Sequence, residues 1–241
     1  MVGLTRNKGI ARIEWRCRRD RIDEAAAQAL CEAAGEVRLD DRIAVVVLRS
    51  RGTDFCVGFD GSTRGAALDC VAAIAALPQP VIAAIGGNAW AEGCELALAC
   101  DLRVVGEKAS FCLPQIANGR LPAHGGTQRL PRIVGAHLAL DLLWSGRVVD
   151  AAEAERIGLA NRVVRPARLT TAVNRLALEL AGKGPIALRL AKEAVRAGVD
   201  LTLDQGIRLE QDLYVLLHTT ADRAEGIRSF LQKRRPRFRG C

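Results

Sequence analysis

The stretch Ile82–Asp101, IAAIGGNAWAEGCELALACD, constrains the fold of this chain more than any other. It starts within Val81–Ile85, a short apolar run with β-branched residues that predicts a buried strand. Gly86–Asn88 then predicts a turn, and CELALAC, at 94–100, predicts the first turns of a buried helix. The sequence therefore predicts a strand, a tight glycine turn and a helix whose N-terminus points back toward the turn.

A charged residue, Glu95, lies just inside this otherwise apolar helix start. The free N–H groups of a helix N-terminus form an anion site, and a buried carboxylate is costly unless it is paired or used. Together these features predict a site where negative charge develops and where a carboxylate handles a proton.

The composition indicates a globular protein of one large domain, or of one domain with an appendage. Of the 241 residues, 49% are hydrophobic and 26% are charged, as in soluble proteins. No apolar run reaches membrane-spanning length and the N-terminus lacks a signal-peptide core, so we expect a cytoplasmic protein without a membrane partner. The eight cysteines include no C-x-x-C pair, which argues against a zinc site or a disulfide framework.

The net charge of +8 comes mainly from arginine, which supplies 30 of the 35 basic residues. Because arginine suits phosphate recognition, a nucleotide-like or nucleic-acid partner is one interpretation. The other interpretation, which we favour for most of these residues, is a compositional bias on a solvated surface.

Strand-like and helix-like segments alternate up to about Arg165, and helical patterns dominate beyond it. The predicted strands are Ile10–Trp15, Ile43–Leu48, Val81–Ile85, Asp101–Val105, Ala109–Cys112 and Arg162–Val164. The predicted helices are the one capped by Asp23 and ending near Val37, Ala66–Leu77, Gly126–Val134, Ala136–Leu143, Ala151–Ile157 and most of Pro166–Lys233, and the segment Pro114–Thr127 is predicted to be a loop. This order predicts an α/β core with a helical C-terminal appendage.

Five segments resemble the crotonase, or enoyl-CoA hydratase/isomerase, superfamily, and they follow the family's order over nearly the whole chain. They are FCVGFD (55–60), GNAWAEGCELALACDLRV (87–104), LPAHGGTQRLPRIVG (121–135), AERIGLANRVV (154–164) and EGIRSFLQKRRPRF (225–238). The resemblance implies an α/β fold, a crotonase-like spiral of β-β-α turns. It places the core at residues 1–185 and a helical oligomerisation region at 186–241, and it implies a homotrimer or hexamer.

The same resemblance implies an enzyme that acts on an acyl-CoA thioester, with coenzyme A as part of the substrate, no further cofactor and no metal. The family stabilises a thioester enolate in an oxyanion hole of two backbone N–H groups, which here match Phe59 and Glu92. Glu95 matches a catalytic glutamate, so it is expected to act as the acid/base. A lyase of the hydratase type is the first expectation, and an isomerase is the next.

Two positions depart from the family pattern beside Glu95. Hydratases that resemble this chain carry a second glutamate where this sequence has Gln115, and an amide orients water but does not titrate near neutral pH. Glu92 occupies a position that is usually glycine. It either supplies the missing carboxylate or turns to solvent and complements the helix dipole.

A third departure is His124, which replaces a small residue in the loop before two glycines. It is either a proton donor or a loop histidine bonded to the backbone. The segment Asp60–Pro80 is also short compared with many relatives, which predicts an open or differently shaped acyl site.

Five residues are expected to contact coenzyme A through the resemblance. Arg18 and Arg19 lie in the loop after the first predicted strand, where the family binds the nucleotide, and Phe59 lies at the oxyanion hole. Phe230 and Lys233 match a C-terminal motif that often reaches a neighbouring subunit's coenzyme A.

Two other classes remain as alternatives to an enzyme. A non-catalytic acyl-CoA-binding homologue is one, because Gln115 removes an acid/base group. An RNA-binding relative is the less favoured one, because aromatic residues make up only 4% of the chain and no aromatic-basic platform occurs. The sequence leaves open the acyl group and the choice between hydration, isomerisation and other enolate chemistry.

Overall fold

The computed structural model describes residues 1–60 and 66–241, without the side chains of residues 66–69. Its strands are β1 Val2–Asn7, β2 Ile10–Trp15, β3 Val45–Ser50, β4 Val81–Ile85, β5 Ala89–Trp90, β6 Leu102–Gly106, β7 Ser110–Cys112, β8 Val149–Asp150 and β9 Arg162–Val164. Its α-helices are α1 Glu24–Arg38, α2 Ala66–Ala75, α3 Glu92–Ala99, α4 Gly126–Val134, α5 Ala136–Ser145, α6 Ala151–Arg156, α7 Leu169–Ala181, α8 Pro185–Gly198, α9 Leu203–His218 and α10 Ala221–Leu231. Short 3₁₀ turns occur at Arg18–Asp20, Pro114–Asn118 and Pro166–Arg168.

The main sheet has six strands in the order β1-β2-β3-β4-β6-β9. Strands β1 and β2 are antiparallel, whereas the pairs from β2 to β9 are all parallel. Parallel strands must be joined by crossovers, and these are supplied here by helices such as α1 between β2 and β3. The central strand β4 is buried at all five positions, which explains why it reads as a continuous apolar run.

A smaller sheet of three strands, in the order β5-β7-β8, stands beside the main sheet. Strand β5 follows β4 after the glycine turn, and an isolated bridge joins its Ala89 to Cys56 in the loop after β3. This bridge holds the loop after β3 against the start of α3, and the candidate site forms at that junction.

The hydrophobic core has two parts. The larger part lies between the two sheets and helices α1 to α6 and includes Trp15, Phe55 and Phe111, each of which is at most 2% exposed. The smaller part lies on the other face of the main sheet, where α7 contributes Val173 and Leu176. Both faces of the parallel sheet are therefore covered, as such sheets require.

The structure confirms most of the predicted elements and corrects a few. The strands Ile10–Trp15, Val81–Ile85 and Arg162–Val164 have the predicted bounds, and the helix capped by Asp23 ends at Arg38. The antiparallel edge strand β1 and the strands β5 and β8 were not predicted. Strands β5 and β8 have two residues each, which is too short for an alternating pattern to show. The predicted loop Pro114–Thr127 contains a 3₁₀ turn and the first residues of α4.

Beyond Arg165 the chain is helical, as predicted, and α9 has no buried residue. In the part of the chain that the structure describes, no helix combines the length and the apolar character that membrane crossing requires. The shortened segment Asp60–Pro80 includes residues 61–65, so the prediction about the acyl wall falls partly outside the described residues. Nothing in the structure tests the proposed boundary between residues 185 and 186.

Candidate active site

The candidate site lies where β5 passes into α3. Ala91, the residue before the helix, has φ +49°, a left-handed conformation that is costly for a side chain other than glycine. Backbone bonds hold it there: its N–H donates to the Cys112 carbonyl (2.9 Å), and its own carbonyl accepts from the Cys94 and Glu95 N–H groups. The start of α3 is thus fixed in one orientation.

The loop after β3 packs directly against the first turn of α3. At Gly93 an added Cβ would come within 1.9 Å of the Cys56 carbonyl oxygen, so a side chain does not fit there. This close approach brings Phe59, near the end of the loop, beside the helix N-terminus. As the first residue of α3, Glu92 has a backbone N–H with no acceptor inside the helix.

Glu95 is fully buried in the first turn of α3. Its Oε1 accepts two backbone N–H groups, from His124 at 2.7 Å and from Gly126 at 2.9 Å, and its Oε2 accepts from Gln115 Nε2 at 3.2 Å. Position 126 needs glycine, because an added Cβ would lie 3.1 Å from Glu95 Oε1 and 2.8 Å from the Cβ of Pro122. The carboxylate is therefore held by three donors, and the chain packs so closely against it that residue 126 has no room for a side chain.

The environment of Glu95 raises the pKa of its carboxyl group above the ordinary value. Burial is the main cause; the N–H groups of Gly126 and His124 oppose it, the charge of Glu92 adds to it, and Arg129 opposes it. A buried carboxylate with a raised pKa is typical of a group that transfers protons.

Gln115 lies against Glu95 in the 3₁₀ turn Pro114–Asn118 and is 2% exposed. Its Nε2 donates to Glu95, but its Oε1 is buried and has no hydrogen-bond partner among the described residues. A buried hydrogen-bond acceptor without a donor lowers the stability of the fold, and a bound ligand or water can supply that donor. The structure thus brings Gln115 into contact with Glu95, and the role of Gln115 beside the substrate remains a prediction.

Glu92 contacts the loop after β3 through its side chain. Its Oε2 accepts the backbone N–H of Phe59 at 3.1 Å. The hypothesis that this carboxylate turns to solvent is wrong, because it is bonded to a backbone donor at the site. Whether it serves as a second catalytic carboxylate remains a prediction.

His124 packs its ring against Phe59, with the ring centroids 5.3 Å apart and the planes tilted by 58°. Its Nδ1 is buried, and no residue in the described part of the chain forms a hydrogen bond with it. Burial lowers the pKa of the imidazole below the ordinary value; Glu92 opposes this shift, and Arg129 adds to it. The imidazole therefore favours its neutral form, and a role in proton transfer remains a prediction.

Arg21 and Arg129 belong to this site but were not predicted. Arg21 Nη2 donates to the Phe59 carbonyl at 2.7 Å, and Arg129 Nη1 donates to the His124 carbonyl at 2.7 Å. Each guanidinium holds a loop backbone in place. Arg129 lies within the family-like segment GGTQRL, so the sequence could have indicated it as a site residue. No sequence pattern indicates that Arg21 contacts residue 59, which is 38 positions away.

Of the other predicted coenzyme A contacts, Arg18 lies next to the cluster, because its carbonyl accepts the N–H of Arg21 at 3.2 Å. Arg18 and Arg19 are exposed in the 3₁₀ turn after β2, and Phe230 is 83% exposed at the end of α10, three residues before Lys233. Among the described residues, no side-chain hydrogen bond or ion pair joins any of the four to the cluster. Their role in binding remains a prediction.

Among residues 1–60 and 66–241, no three His, Cys, Asp or Glu side chains form a group that could hold a metal ion. The cysteines of this part of the chain form no disulfide, and five of them are buried.

Comparison with known proteins decides the family. The family model described as enoyl-CoA hydratase/isomerase matches residues 5–241. The chain belongs to the enoyl-CoA hydratase/isomerase family. It is an enzyme of the lyase or isomerase type, as its relatives' names indicate.

Two curated relatives illustrate the similarity of sequence. The mitochondrial methylglutaconyl-CoA hydratase of Rattus norvegicus is 38% identical over 228 residues, which cover 88% of this chain and 72% of the relative. The crotonyl-CoA hydratase of Syntrophomonas wolfei is 43% identical over 165 residues, which cover 68% of this chain and 64% of the relative.

The fold of this family member is that of solved enoyl-CoA hydratases. The structure from Bacillus anthracis superimposes with a TM-score of 0.94 at 34% identity, covering 100% of this chain and 99% of the other. One structure from Geobacillus kaustophilus gives a TM-score of 0.92 at 34% identity, covering 100% and 98%. The prediction of an α/β crotonase-like spiral with a helical C-terminal region is confirmed.

Proposed function

We propose that this enzyme adds water to, or isomerises, an enoyl-CoA thioester through an enolate, with Glu95 as the acid/base. The backbone N–H groups of Phe59 and Glu92 form the oxyanion hole that holds the thioester oxygen. The observation that carries the proposal is the fully buried Glu95 carboxylate, held by the N–H groups of His124 and Gly126 in the first turn of α3.

The oxyanion hole is supported by the local backbone. Phe59 and the start of α3 are brought together by the close packing at Gly93, and the N-terminus of α3 carries a partial positive charge. In other enzymes, removal of one preorganised donor costs about 3–4 kcal/mol of transition-state stabilisation. Negative charge on the thioester oxygen would therefore be best stabilised at this junction.

Hydration can proceed with Glu95 as the single titrating group. A water molecule loses a proton to the Glu95 carboxylate while its oxygen adds to the β-carbon, and the electrons move to the thioester oxygen as an enolate. Glu95 then returns the proton to the α-carbon, so that one water is added across the double bond. The unmet Oε1 of Gln115 supports this scheme, because it can accept the other hydrogen of that water.

Isomerisation is the second candidate within the same site. A single carboxylate that removes a proton from one carbon and returns it to another needs no second acid, which fits the replacement of the usual second glutamate by Gln115. The names of the relatives above favour hydration as the first choice.

Coenzyme A is expected to enter as part of the substrate, with no further cofactor and no metal. We expect Arg18 and Arg19 to contact its phosphates and Phe59 to contact its thioester end, and the exposure of the two arginines in the turn after β2 is compatible with that role. Phe230 and Lys233 would serve the substrate of a neighbouring subunit.

Assembly into a homotrimer or hexamer is supported by the C-terminal helices. Helix α9 has no buried residue, and its apolar side chains Leu203 and Val215 are 79% and 65% exposed. An apolar surface of this kind indicates a protein interface. Light scattering at micromolar concentration should give three or six times the mass of one chain, and a monomer would contradict the proposal. A cytoplasmic location remains an expectation.

The test of function is a screen of acyl-CoA thioesters that includes linear, branched, cyclic and aromatic enoyl groups, with products identified by mass spectrometry. A gain of one water indicates the hydratase, and a shifted double bond without a mass change indicates the isomerase. The absence of turnover on every thioester would refute the proposal, and binding without turnover would favour the non-catalytic alternative.

A further inference from the structure

The side chain of Glu92 holds one of the two donors that the proposed oxyanion hole needs. Its Oε2 accepts the Phe59 N–H at 3.1 Å, and Phe59 itself is only 6% exposed. The carboxylate oxygen thus lies where the oxygen of a bound thioester would be held. A carboxylate is the strongest acceptor among protein side chains, because its hydrogen bond to an N–H is charge-assisted.

A thioester and the Glu92 carboxylate cannot use this donor together. A backbone N–H has one hydrogen to donate, and the negative charge of an enolate would be repelled by a carboxylate at hydrogen-bond range. Substrate binding therefore requires the side chain of Glu92 to leave Phe59, while the Glu92 backbone N–H stays in place.

Arg21 offers a place for the displaced carboxylate. A Cβ built on Gly58 would lie 3.0 Å from Arg21 Nη2 and 3.0 Å from Glu92 Oε2, so the two charged atoms lie within about 6 Å of each other. No side chain stands between them, because residue 58 is glycine with φ +135°. Arg21 now donates to the Phe59 carbonyl, on the same peptide segment.

We propose that the Glu92 carboxylate is a displaceable occupant of the thioester-oxygen position, which moves toward Arg21 when a substrate carbonyl enters. Glu92 is then an affinity-determining residue: a ligand whose oxygen takes the Phe59 N–H must first displace the carboxylate, whereas a ligand without that oxygen leaves this contact intact. This inference rests on the function proposed above and adds a role for a side chain that the scheme there does not use.

The test compares two ligands that differ in one carbonyl oxygen, acetyl-CoA and the thioether S-ethyl-CoA. Calorimetry is run on the wild-type enzyme and on Glu92→Ala, with Glu193→Ala as the matched control, because it removes the same charge from an exposed part of α8. We expect Glu92→Ala to lower the Kd for acetyl-CoA about 10-fold, a change that corresponds to about 1.4 kcal/mol. The Kd for S-ethyl-CoA should stay unchanged, and the control should change neither value.

A second arm tests the place to which the carboxylate moves. Arg21→Gln should weaken acetyl-CoA binding more in the wild-type enzyme than in Glu92→Ala. The bond to the Phe59 carbonyl is lost in both, but the receiving role exists only where the carboxylate is present. An equal loss in both backgrounds would overturn the role of Arg21. Circular dichroism confirms that each variant is folded.

The outcomes separate this inference from the proposed function. Equal tightening of both ligands in Glu92→Ala, or tightening of neither while the wild type binds acetyl-CoA, overturns the inference alone. If neither ligand nor acetoacetyl-CoA binds any variant at millimolar concentration, the proposed function fails and the inference fails with it.

Discussion

Replacing Glu95 with glutamine removes the only titrating group that the proposed hydration uses, at almost constant volume. The introduced amide oxygen can still accept the N–H groups of His124 and Gly126, now 2.7 and 2.9 Å from Oε1. The introduced NH₂ would face the Nε2 of Gln115, a contact between two donors. A half-turn of the Gln115 amide relieves it, because the Gln115 Oε1 is bonded to none of the residues that the structure describes.

The expected loss of activity follows from the chemistry rather than from misfolding. General acid–base catalysis typically contributes about 10²- to 10⁴-fold, which corresponds to about 3–5 kcal/mol in the activation barrier. We expect Glu95→Gln to lower kcat by that factor on the best enoyl-CoA substrate. The Kd for acetyl-CoA should change less than threefold, since the substitution leaves the donors on Phe59 and Glu92 untouched.

Stability provides the internal check on this variant. Burial raises the pKa of Glu95, so its favourable contribution to folding is complete below the unfolded carboxyl pKa of about 4.3 and is lost as the pH rises through the folded pKa. Glu95→Gln should therefore be at least as stable as the wild type to urea at pH 7. Its advantage should shrink at pH 4.

The assay follows enoyl-CoA hydration by absorbance, with Glu193→Gln as a surface control. Wild-type kcat in Glu95→Gln would refute the assignment. If Glu92→Gln or His124→Ala loses turnover instead, one of those residues carries the proton. A variant that loses both kcat and urea stability at pH 7 would show that Glu95 is needed for the fold, contrary to the reasoning above.

Three further predictions concern the pH dependence of activity, the role of Gln115 and the ion pairs of Asp101. The acid limb of the kcat/KM profile should lie above pH 4.3, since burial raises the pKa of Glu95 and the base must be ionised; a limb below that value would contradict the assignment. Gln115→Glu should raise hydration of a simple enoyl-CoA by restoring a second titrating group, and unchanged or lower turnover would show that the amide is the better partner. Asp101→Ala should lower the free energy of unfolding by about 2–3 kcal/mol in urea titrations, because Asp101 contacts both Lys192 and Arg196 of α8 at 2.7 Å; a loss below 0.5 kcal/mol would show that these ion pairs do not anchor α8.

The pattern of residues that are close in the sequence was sufficient to predict the regular strands and helices of the core. The apolar run Val81–Ile85 and the helix cap at Asp23 depend on residues within one turn or one strand of each other. Burial of Glu95 was also predictable, because the residues directly before and after it in α3, Cys94 and Leu96, are apolar. The resemblance of the five segments to the family then predicted how these elements are arranged in the fold.

Long-range contacts decided the rest of the candidate site. The N–H groups that hold Glu95 come from positions 29 and 31 residues further along the chain, and Glu92 meets the Phe59 N–H across 33 residues. The sequence suggested that Glu92 either turns to solvent or replaces a carboxylate, and a bond to a backbone donor was not foreseen.

The difference between what the sequence predicted and what the tertiary structure decided has a physical cause. Periodicity and capping express interactions between residues that are near in the chain, so the sequence by itself determined where strands and helices form and which faces are apolar. A backbone N–H, by contrast, is the same group at every position. Only the tertiary packing, through the tight approach at Gly93 and Gly126, decided which of these donors meet Glu92 and Glu95.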